Sequence, residues 1–225
     1  MERPLSTLIV IAALALSLAH AQEAAQRLVY ADFEQLNKDK HPMSARGGRI
    51  IFDVTAQNDK NKPTVSPKLF GAQAPLTQRI AFEYELKQPN DWATAYIKIL
   101  GFKDKGYTAG EVWERQLLAK AEDLSDYKFL TLDIGAVGTE EVRIDLISES
   151  NGIDTNAFPS FNLKVNNQLQ PYRIPLTDFK QPEGSWVTKK VTTSGVLKKL
   201  TSVQINVSKV PSKGIVVLDN LAFEK

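Results

Sequence analysis

Apolar and polar residues alternate with a period of two along most of this chain, which is the pattern of β-strands that bury one face. The alternation predicts strands at residues 28–34, 49–54, 79–86, 92–100, 129–134, 142–147, 172–179, 201–207 and 214–224. Other segments are predicted as one helical turn (196–200), a polar loop (148–162) and a stretch that fits helix or strand equally well (101–123). Since no helices alternate with the strands, the predicted fold is all-β, with antiparallel sheets packed as a sandwich.

The last predicted strand, residues 214–224, is the one around which the rest of the chain is arranged. Its apolar run ends at Asp219 and Asn220 and then resumes with Leu221 and Phe223. Such a run is typical of a central strand that is buried on both faces. The pattern therefore predicts a buried closing strand whose far end carries a carboxylate.

Several predicted strands have one apolar face and one polar face. In the first strand the alternation places on the polar face Tyr30, Asp32 and Glu34. In strands 79–86 and 92–100 it places there Arg79, Glu83, Glu85, Trp92, Thr94, Tyr96 and Lys98. Further along the chain the corresponding positions are Arg143, Asp145, Gln204 and Asn206. We predict that strands 79–86 and 92–100 share one sheet, whose outer side is aromatic and charged.

The first 21 residues have the pattern of a secretory signal peptide. A short polar start precedes an apolar run, and Ala19-His20-Ala21 is a small-x-small cleavage pattern. The run is too short for a membrane-spanning helix, and no later apolar segment is long enough for one. The predicted organisation is a signal peptide at residues 1–21 and a single sandwich domain at residues 22–225, exported to the periplasm or the cell exterior.

Composition narrows the chemistry that the chain can perform. With 28 basic and 26 acidic residues, the charge is too close to neutral to predict binding of nucleic acid. The sequence has no cysteine, which excludes disulfides, thiolate metal sites and a cysteine nucleophile. His41 is the only histidine after the predicted signal peptide. A metal site with two histidines from one chain is therefore excluded, and a Ser-His-Asp triad would have to use His41.

The order of the motifs resembles a known group of jelly-roll domains. The motifs are Asp123-Leu124-Ser125-Asp126-Tyr127 before a strand, Tyr172-x-Ile174-Pro175-Leu176-x-Asp178-Phe179, and Leu218-Asp219-Asn220-Leu221-x-Phe223. Together they are similar to family 11 carbohydrate-binding modules, which are galactose-binding-like β-sandwiches, and to the domain of the 30-kilodalton complex I intermediate-associated protein. The resemblance covers roughly residues 28–224 and is most specific from Leu124 onward. It implies an antiparallel jelly-roll β-sandwich.

The resemblance also implies a binding surface for a polysaccharide or oligosaccharide. Carbohydrate-binding members of this group use a sheet face on which aromatic rings stack on sugars and polar groups bond their hydroxyls. In this chain the corresponding polar positions are Arg79, Glu83, Glu85, Trp92, Tyr96, Lys98, Arg143, Asp145, Gln204 and Asn206. We predict that they bind a glycan chain without cleaving it.

Three other interpretations of these residues stay open. Polar side chains occupy alternate positions of any solvated sheet face, with or without a ligand. A glycan-cleaving enzyme needs a pair of carboxylates, and Glu83 with Glu85 is the visible pair, spaced about 7 Å apart on one strand face. The complex I relative implies instead a protein partner, as in a periplasmic binding or assembly factor.

A structural calcium ion is the one cofactor that the sequence predicts. In the similar sandwiches an Asp-Asn pair of the closing strand lies beside the first strand. This arrangement would bring Asp32 and Glu34 close to Asp219. Calcium takes about six to eight oxygen ligands, so backbone carbonyls of a neighbouring loop would have to complete the site.

Overall fold

The computed structural model describes residues 26–36, 42–43, 49–56, 79–87, 89, 91–100, 121–148, 158–183, 190–208 and 212–225. Its strands are β1 (Arg27–Ala31), β2 (Gln35–Leu36), β3 (Pro42–Met43), β4 (Arg49–Ala56), β5 (Ile80–Leu86), β6 (Trp92–Leu100), β7 (Phe129–Val137), β8 (Glu141–Ile147), β9 (Ser160–Lys164), β10 (Gln170–Pro175), β11 (Ser202–Ser208) and β12 (Ser212–Glu224). A 3₁₀-helix, Leu176–Asp178, and a short α-helix, α1 (Thr193–Leu197), lie between them.

The strands form two antiparallel sheets. In sheet A, the long strand β12 pairs with β7 on one side and with β1 and β5 on the other, and β10 extends the sheet beyond β7. Sheet B has the order β2-β3-β4-β6-β11-β8-β9. The predicted central position of the closing strand and the predicted all-β sandwich are both confirmed.

The core lies between the two sheets. Alternate residues of three neighbouring strands of sheet B are 0–1% exposed: Ala93, Ala95, Ile97, Val142, Ile144, Leu146, Val203, Ile205 and Val207. They belong to one cluster with buried residues of sheet A, among them Leu130, Leu132, Ile134, Val216, Leu218 and Phe223. Because these positions alternate along each strand, the opposite side chains of sheet B form its outer face.

The prediction that strands 79–86 and 92–100 share one sheet is wrong. Strand β5 pairs with β12 in sheet A, whereas β6 pairs with β4 and β11 in sheet B. The alternation correctly predicted most of the buried residues of each strand, although Ala81 and Thr94 are buried as well. It carries no information about the pairing partner, because any strand with one apolar face can cover either side of the core.

The first strand also departs from its predicted alternation. Tyr30, Ala31 and Phe33 are all buried, although the period of two placed Tyr30 on the polar face with Asp32 and Glu34. A bulge between Val29 and Ala31 shifts the register against β12, and Phe33 has a positive φ of 59°. An irregularity of this kind rotates the following side chains, so simple alternation fails there.

Two predicted boundaries and one predicted loop also change. The strand expected at 172–179 ends at Pro175 and is followed by the 3₁₀-helix, and the helical turn expected at 196–200 is α1. The side chain of Thr192 caps α1 by accepting a hydrogen bond of 3.1 Å from the Gly195 N–H. Residues 160–162, predicted as the end of a loop, belong to the edge strand β9.

The predicted signal peptide at residues 1–21 and most of the ambiguous segment 101–123 lie outside the described residues, as does His41. Of the helices in the described ranges, none has the length and apolar character needed to cross a bilayer.

Candidate functional site

The outer face of sheet B gathers most of the side chains that were predicted to bind a ligand. The register places Tyr96, Gln204 and Asp145 in one row across β6, β11 and β8, and it places Asn206 and Arg143 in the next row. Seven of the ten predicted ligand residues share this face: Trp92, Tyr96, Lys98, Arg143, Asp145, Gln204 and Asn206.

The other three predicted ligand residues lie on the opposite sheet. Glu83 and Glu85 are exposed on β5, in register with Ile215 and Lys213 of β12. Arg79 precedes β5, and its Nε lies 3.8 Å from Oδ2 of Asp219. The prediction of a single surface that includes these residues is therefore corrected. It failed because it assumed that β5 and β6 are neighbours.

A buried polar network lies near the middle of the sheet B outer face. Asp145 is only 1% exposed. Its two carboxylate oxygens accept hydrogen bonds of 3.0 Å each from Nε and Nη2 of Arg143. Oδ2 also accepts a bond of 2.7 Å from Nδ2 of Asn206, whose Oδ1 accepts a bond from the Thr94 hydroxyl. The network thus ties together β6, β11 and β8.

Burial of the Asp145 carboxyl raises its pKa to about 6. Desolvation is the largest cause, because removing a carboxylate from water disfavours its charged form. The charge of Arg143 and the hydrogen bonds from Arg143 and Asn206 oppose this rise. Asp145 is consequently ionised at neutral pH and changes its charge in mildly acidic solution.

The Arg143 side chain connects this network to solvent. Its guanidinium carbon lies 5.5 Å from the centroid of the Phe158 ring. The side chain is 32% exposed, in contrast to its partner Asp145. Because only two of the five guanidinium N–H groups bond to Asp145, Arg143 keeps donors for another molecule.

A cleft of about 1400 Å³ opens beside this network, along β8 and β9. Arg143 and Asn206 line it from the sheet B outer face. Other polar side chains that line it include Glu141, Ser160, Asn162, Lys164, Asn166, Lys180, Gln181 and Ser208. Both hydrogen-bond donors and hydrogen-bond acceptors therefore line the cleft.

Sequence reasoning missed the contribution of β9, because residues 148–162 were predicted as a loop. The signal was present in the alternation of Ser160, Asn162 and Lys164 with Phe161 and Leu163. Leu163 is only 7% exposed, whereas Asn162 and Lys164 are exposed. The short strand was obscured by its polar composition.

Trp92, Tyr96 and Lys98 lie on β6, and Trp92 is in register with Ser208 of β11, which lines the cleft. All three side chains are half-buried, and Nζ of Lys98 lies 5.7 Å from the centroid of the Tyr96 ring. Three strand spacings of about 4.8 Å separate β6 from β9, so about 14 Å of sheet lies between the aromatic residues and the far edge of the face. The face is wide enough for an extended ligand.

The carboxylate of the closing strand lies in a separate acidic cluster on sheet A. Asp219 is 2% exposed, and its Oδ1 accepts a bond of 2.8 Å from the Asn220 N–H. Burial is the main reason that its pKa rises to about 6, and the charges of Glu34 and Asp133 raise it further. Asp133 lies directly opposite Asp219 on β7.

The predicted calcium site stays a prediction. Glu34 is close enough to Asp219 for its charge to raise the pKa of the Asp219 carboxyl. Asp32 lies beside Glu34, since its Oδ1 accepts a hydrogen bond of 3.3 Å from the Glu34 N–H. In the described part of the chain, however, no group of three or more His, Cys, Asp or Glu side chains is arranged to hold a metal ion. Arg79 already places a positive charge beside Asp219. A calcium ion would therefore need most of its ligands from backbone carbonyls.

The fold of this chain is similar to that of solved carbohydrate-binding modules. The family 11 carbohydrate-binding module of a cellulosomal cellulase from Clostridium thermocellum aligns with 88% of this chain and 94% of its own, with a TM-score of 0.58 and 14% identity. A family 11 module from the same organism, in complex with a β-1,3-1,4-mixed-linked tetrasaccharide, gives a TM-score of 0.59, 15% identity and coverages of 88% and 95%. A family 30 carbohydrate-binding module from a cellulosomal cellulase of this organism gives 0.51, 13% identity and coverages of 78% and 92%.

These similarities confirm the predicted jelly-roll sandwich and its resemblance to family 11 modules. Because the sequence identities are 15% or less, the similarities establish the fold alone. No protein-family model matches the sequence, and no curated protein is significantly similar to it. The predicted resemblance to the complex I domain stays a prediction.

Proposed function

We propose that this chain is a carbohydrate-binding protein that holds a glycan on the outer face of sheet B and in the adjoining cleft, without cleaving it. The observation that carries the proposal is the fixed polar network of Asp145, Arg143 and Asn206 between a cleft and half-buried aromatic side chains. The similar fold of modules that include a tetrasaccharide complex supports it.

The chemistry of this face suits a sugar chain. The C–H faces of sugars stack on aromatic rings, and their hydroxyls both donate and accept hydrogen bonds. Trp92 and Tyr96 are four residues apart on one strand face, about 13 Å by the strand rise, so the two rings contact different sugar units. Asn162 supplies an exposed amide group, which can both donate hydrogen bonds to sugar hydroxyls and accept them.

The charge of the cleft favours a neutral glycan. Four carboxylate side chains and three cationic side chains line it: Glu140, Glu141, Asp178, Glu183, Arg143, Lys164 and Lys180. The only arginine among them is already paired with a carboxylate. This balance gives no net attraction for the carboxylate or sulfate groups of an acidic polysaccharide.

We expect a screen of neutral and acidic polysaccharides to show binding to a neutral one, and calorimetry to show weaker binding after substitution of the aromatic residues. Trp92→Ala and Tyr96→Ala should each lower affinity about tenfold, about 1.4 kcal/mol, because each removes one stacking surface. Tyr172→Ala, on sheet A, is the matched control and should bind as wild type does.

The alternatives give different results in the same screen. Unchanged affinity in both aromatic variants would remove β6 from the site. Release of reducing sugar would favour the enzyme. Absence of binding to every polysaccharide would favour a protein partner.

We also propose that the chain is exported, on the basis of its N-terminal pattern. The mature protein should then begin near Gln22, after the small-x-small site that ends at Ala21. Intact-mass measurement of protein recovered from the periplasm and the medium tests this prediction. Recovery of a chain that still begins at Met1 from the membrane fraction would contradict it.

A further inference from the structure

We propose that Asp145 does not contact the glycan but positions Arg143, so that Arg143 presents a fixed set of N–H donors to glycan hydroxyls in the cleft. This inference rests on the proposed function and assigns separate roles to two residues that the sequence placed together in the binding surface.

Asp145 has no accessible surface with which to bind a ligand. It is 1% exposed, and both of its oxygens accept bonds from the Arg143 guanidinium. Oδ2 also accepts the 2.7 Å bond from Asn206. An enclosed carboxylate of this kind affects ligand binding only through the side chain to which it is hydrogen-bonded, here the Arg143 guanidinium.

Arg143 has the features of a pre-oriented donor. The two parallel bonds to Asp145 fix the plane of its guanidinium, which lies beside the Phe158 ring. Its remaining N–H groups belong to a side chain that is 32% exposed and lines the cleft. Because its charge is balanced by Asp145, the guanidinium bonds neutral hydroxyls without attracting an anion.

The neighbouring strands hold the carboxylate from the other side. Nδ2 of Asn206 donates to Asp145 and, at 3.3 Å, to the Arg143 carbonyl. The bond from the Thr94 hydroxyl fixes the orientation of the Asn206 amide. The residues opposite Asp145 on β11 and β9 are Gln204 and Ser160, which are both neutral.

The charged group that faces Asp145 most directly is Arg143, two residues before it on β8. In the same row β6 contributes Tyr96, whose neighbour Lys98 lies two residues further along that strand. The Asp145 pKa of about 6 places the loss of its charge between pH 7 and pH 5. Protonation leaves one carboxyl oxygen unable to accept an Arg143 N–H, so the guanidinium is released and affinity falls as the pH falls.

The test measures affinity for a β-1,3-1,4-mixed-linked glucan tetrasaccharide by calorimetry between pH 5 and pH 7.5. Wild type should lose about tenfold in affinity from pH 7 to pH 5. Asp145→Asn should bind about tenfold more weakly than wild type at pH 7, with little dependence on pH. Arg143→Lys keeps the charge but not the paired donors, and should also lose about tenfold. Asp126→Asn, on an exposed turn, is the control and should match wild type.

A second measurement needs no ligand. In the free protein, the nitrogen-15 resonance of the Arg143 Nε–H should titrate with a midpoint near pH 6, and it should not titrate in Asp145→Asn. Titration without glucan binding would support the positioning role and count against the proposed function for this sugar. Two results would overturn the inference. One is that Asp145→Asn binds the tetrasaccharide as tightly as wild type at every pH. The other is that the Arg143 Nε–H resonance titrates in Asp145→Asn as it does in wild type.

Discussion

Replacement of Phe223 by alanine should lower the free energy of unfolding by about 3–5 kcal/mol, since the change removes a large side chain from the centre of the core. Phe223 is 0% exposed on β12. Its ring makes edge contacts with Tyr30, at 5.7 Å between centroids, and with Tyr127, at 6.3 Å. Alanine leaves a cavity that two other aromatic rings cannot fill without moving.

Urea denaturation of wild type and Phe223→Ala measures this loss. Phe129→Ala is the matched control, because Phe129 lies on β7 in register with Glu224 but is only half-buried, with Arg173 over its ring at 3.2 Å. We expect a loss of about 1 kcal/mol in the control, mainly from the cation–π contact. Equal losses in the two variants would show that the core is not centred on the closing strand.

The closing strand and the outward side chains of β6, β8 and β11 could be predicted because both depend on periodicity alone. A run such as Ile215 to Leu218, rich in β-branched residues, has few alternatives to a buried strand. Likewise, alternation in β6, β8 and β11 determines which side chains face outward. Those side chains meet because the three strands are neighbours in one sheet.

Features that depend on strand order or on local irregularity could not be predicted. The sequence does not record that β5 pairs with β12, so Glu83 and Glu85 were assigned to the wrong surface. The bulge that buries Tyr30 interrupts the alternation without a glycine or proline to mark it. Nor does the pattern show that Asp145, at an outward position, is enclosed by Arg143 and its neighbours.

Substitution of Asp219 by asparagine should raise the free energy of unfolding at pH 7.5, measured in EDTA, by about 1–3 kcal/mol. The pKa of the folded-state Asp219 is raised from 3.8 to about 6, so between these values the folded chain binds more protons than the unfolded chain. By linkage, the contribution of this group to stability is largest below about pH 4 and falls as the pH rises towards 6 and above.

Asparagine removes the desolvated charge and keeps an oxygen for the 2.8 Å bond from the Asn220 N–H. The substitution also ends the ion pair with Arg79, whose Nε lies 3.8 Å from the carboxylate and is itself buried without a hydrogen-bond partner. The Arg79 side chain as a whole is 32% exposed, so the guanidinium keeps contact with solvent and the loss of the pair offsets only part of the gain. We therefore expect the variant to be more stable than wild type at pH 7.5 and equally stable at pH 4. Asp126→Asn, at an exposed position, should leave stability unchanged at both.

The same pair of proteins tests the calcium prediction. If the ion binds at Asp219, calcium should raise the wild-type melting temperature by roughly 5–10 °C at about one hundred times its Kd. It should also narrow or reverse the stability difference between the two proteins, because the bound cation favours the carboxylate that asparagine lacks. A wild-type melting temperature that is the same in EDTA and in calcium would exclude a structural calcium ion. A variant that is less stable than wild type at pH 7.5 in EDTA would show that the pair with Arg79 outweighs the desolvation of Asp219.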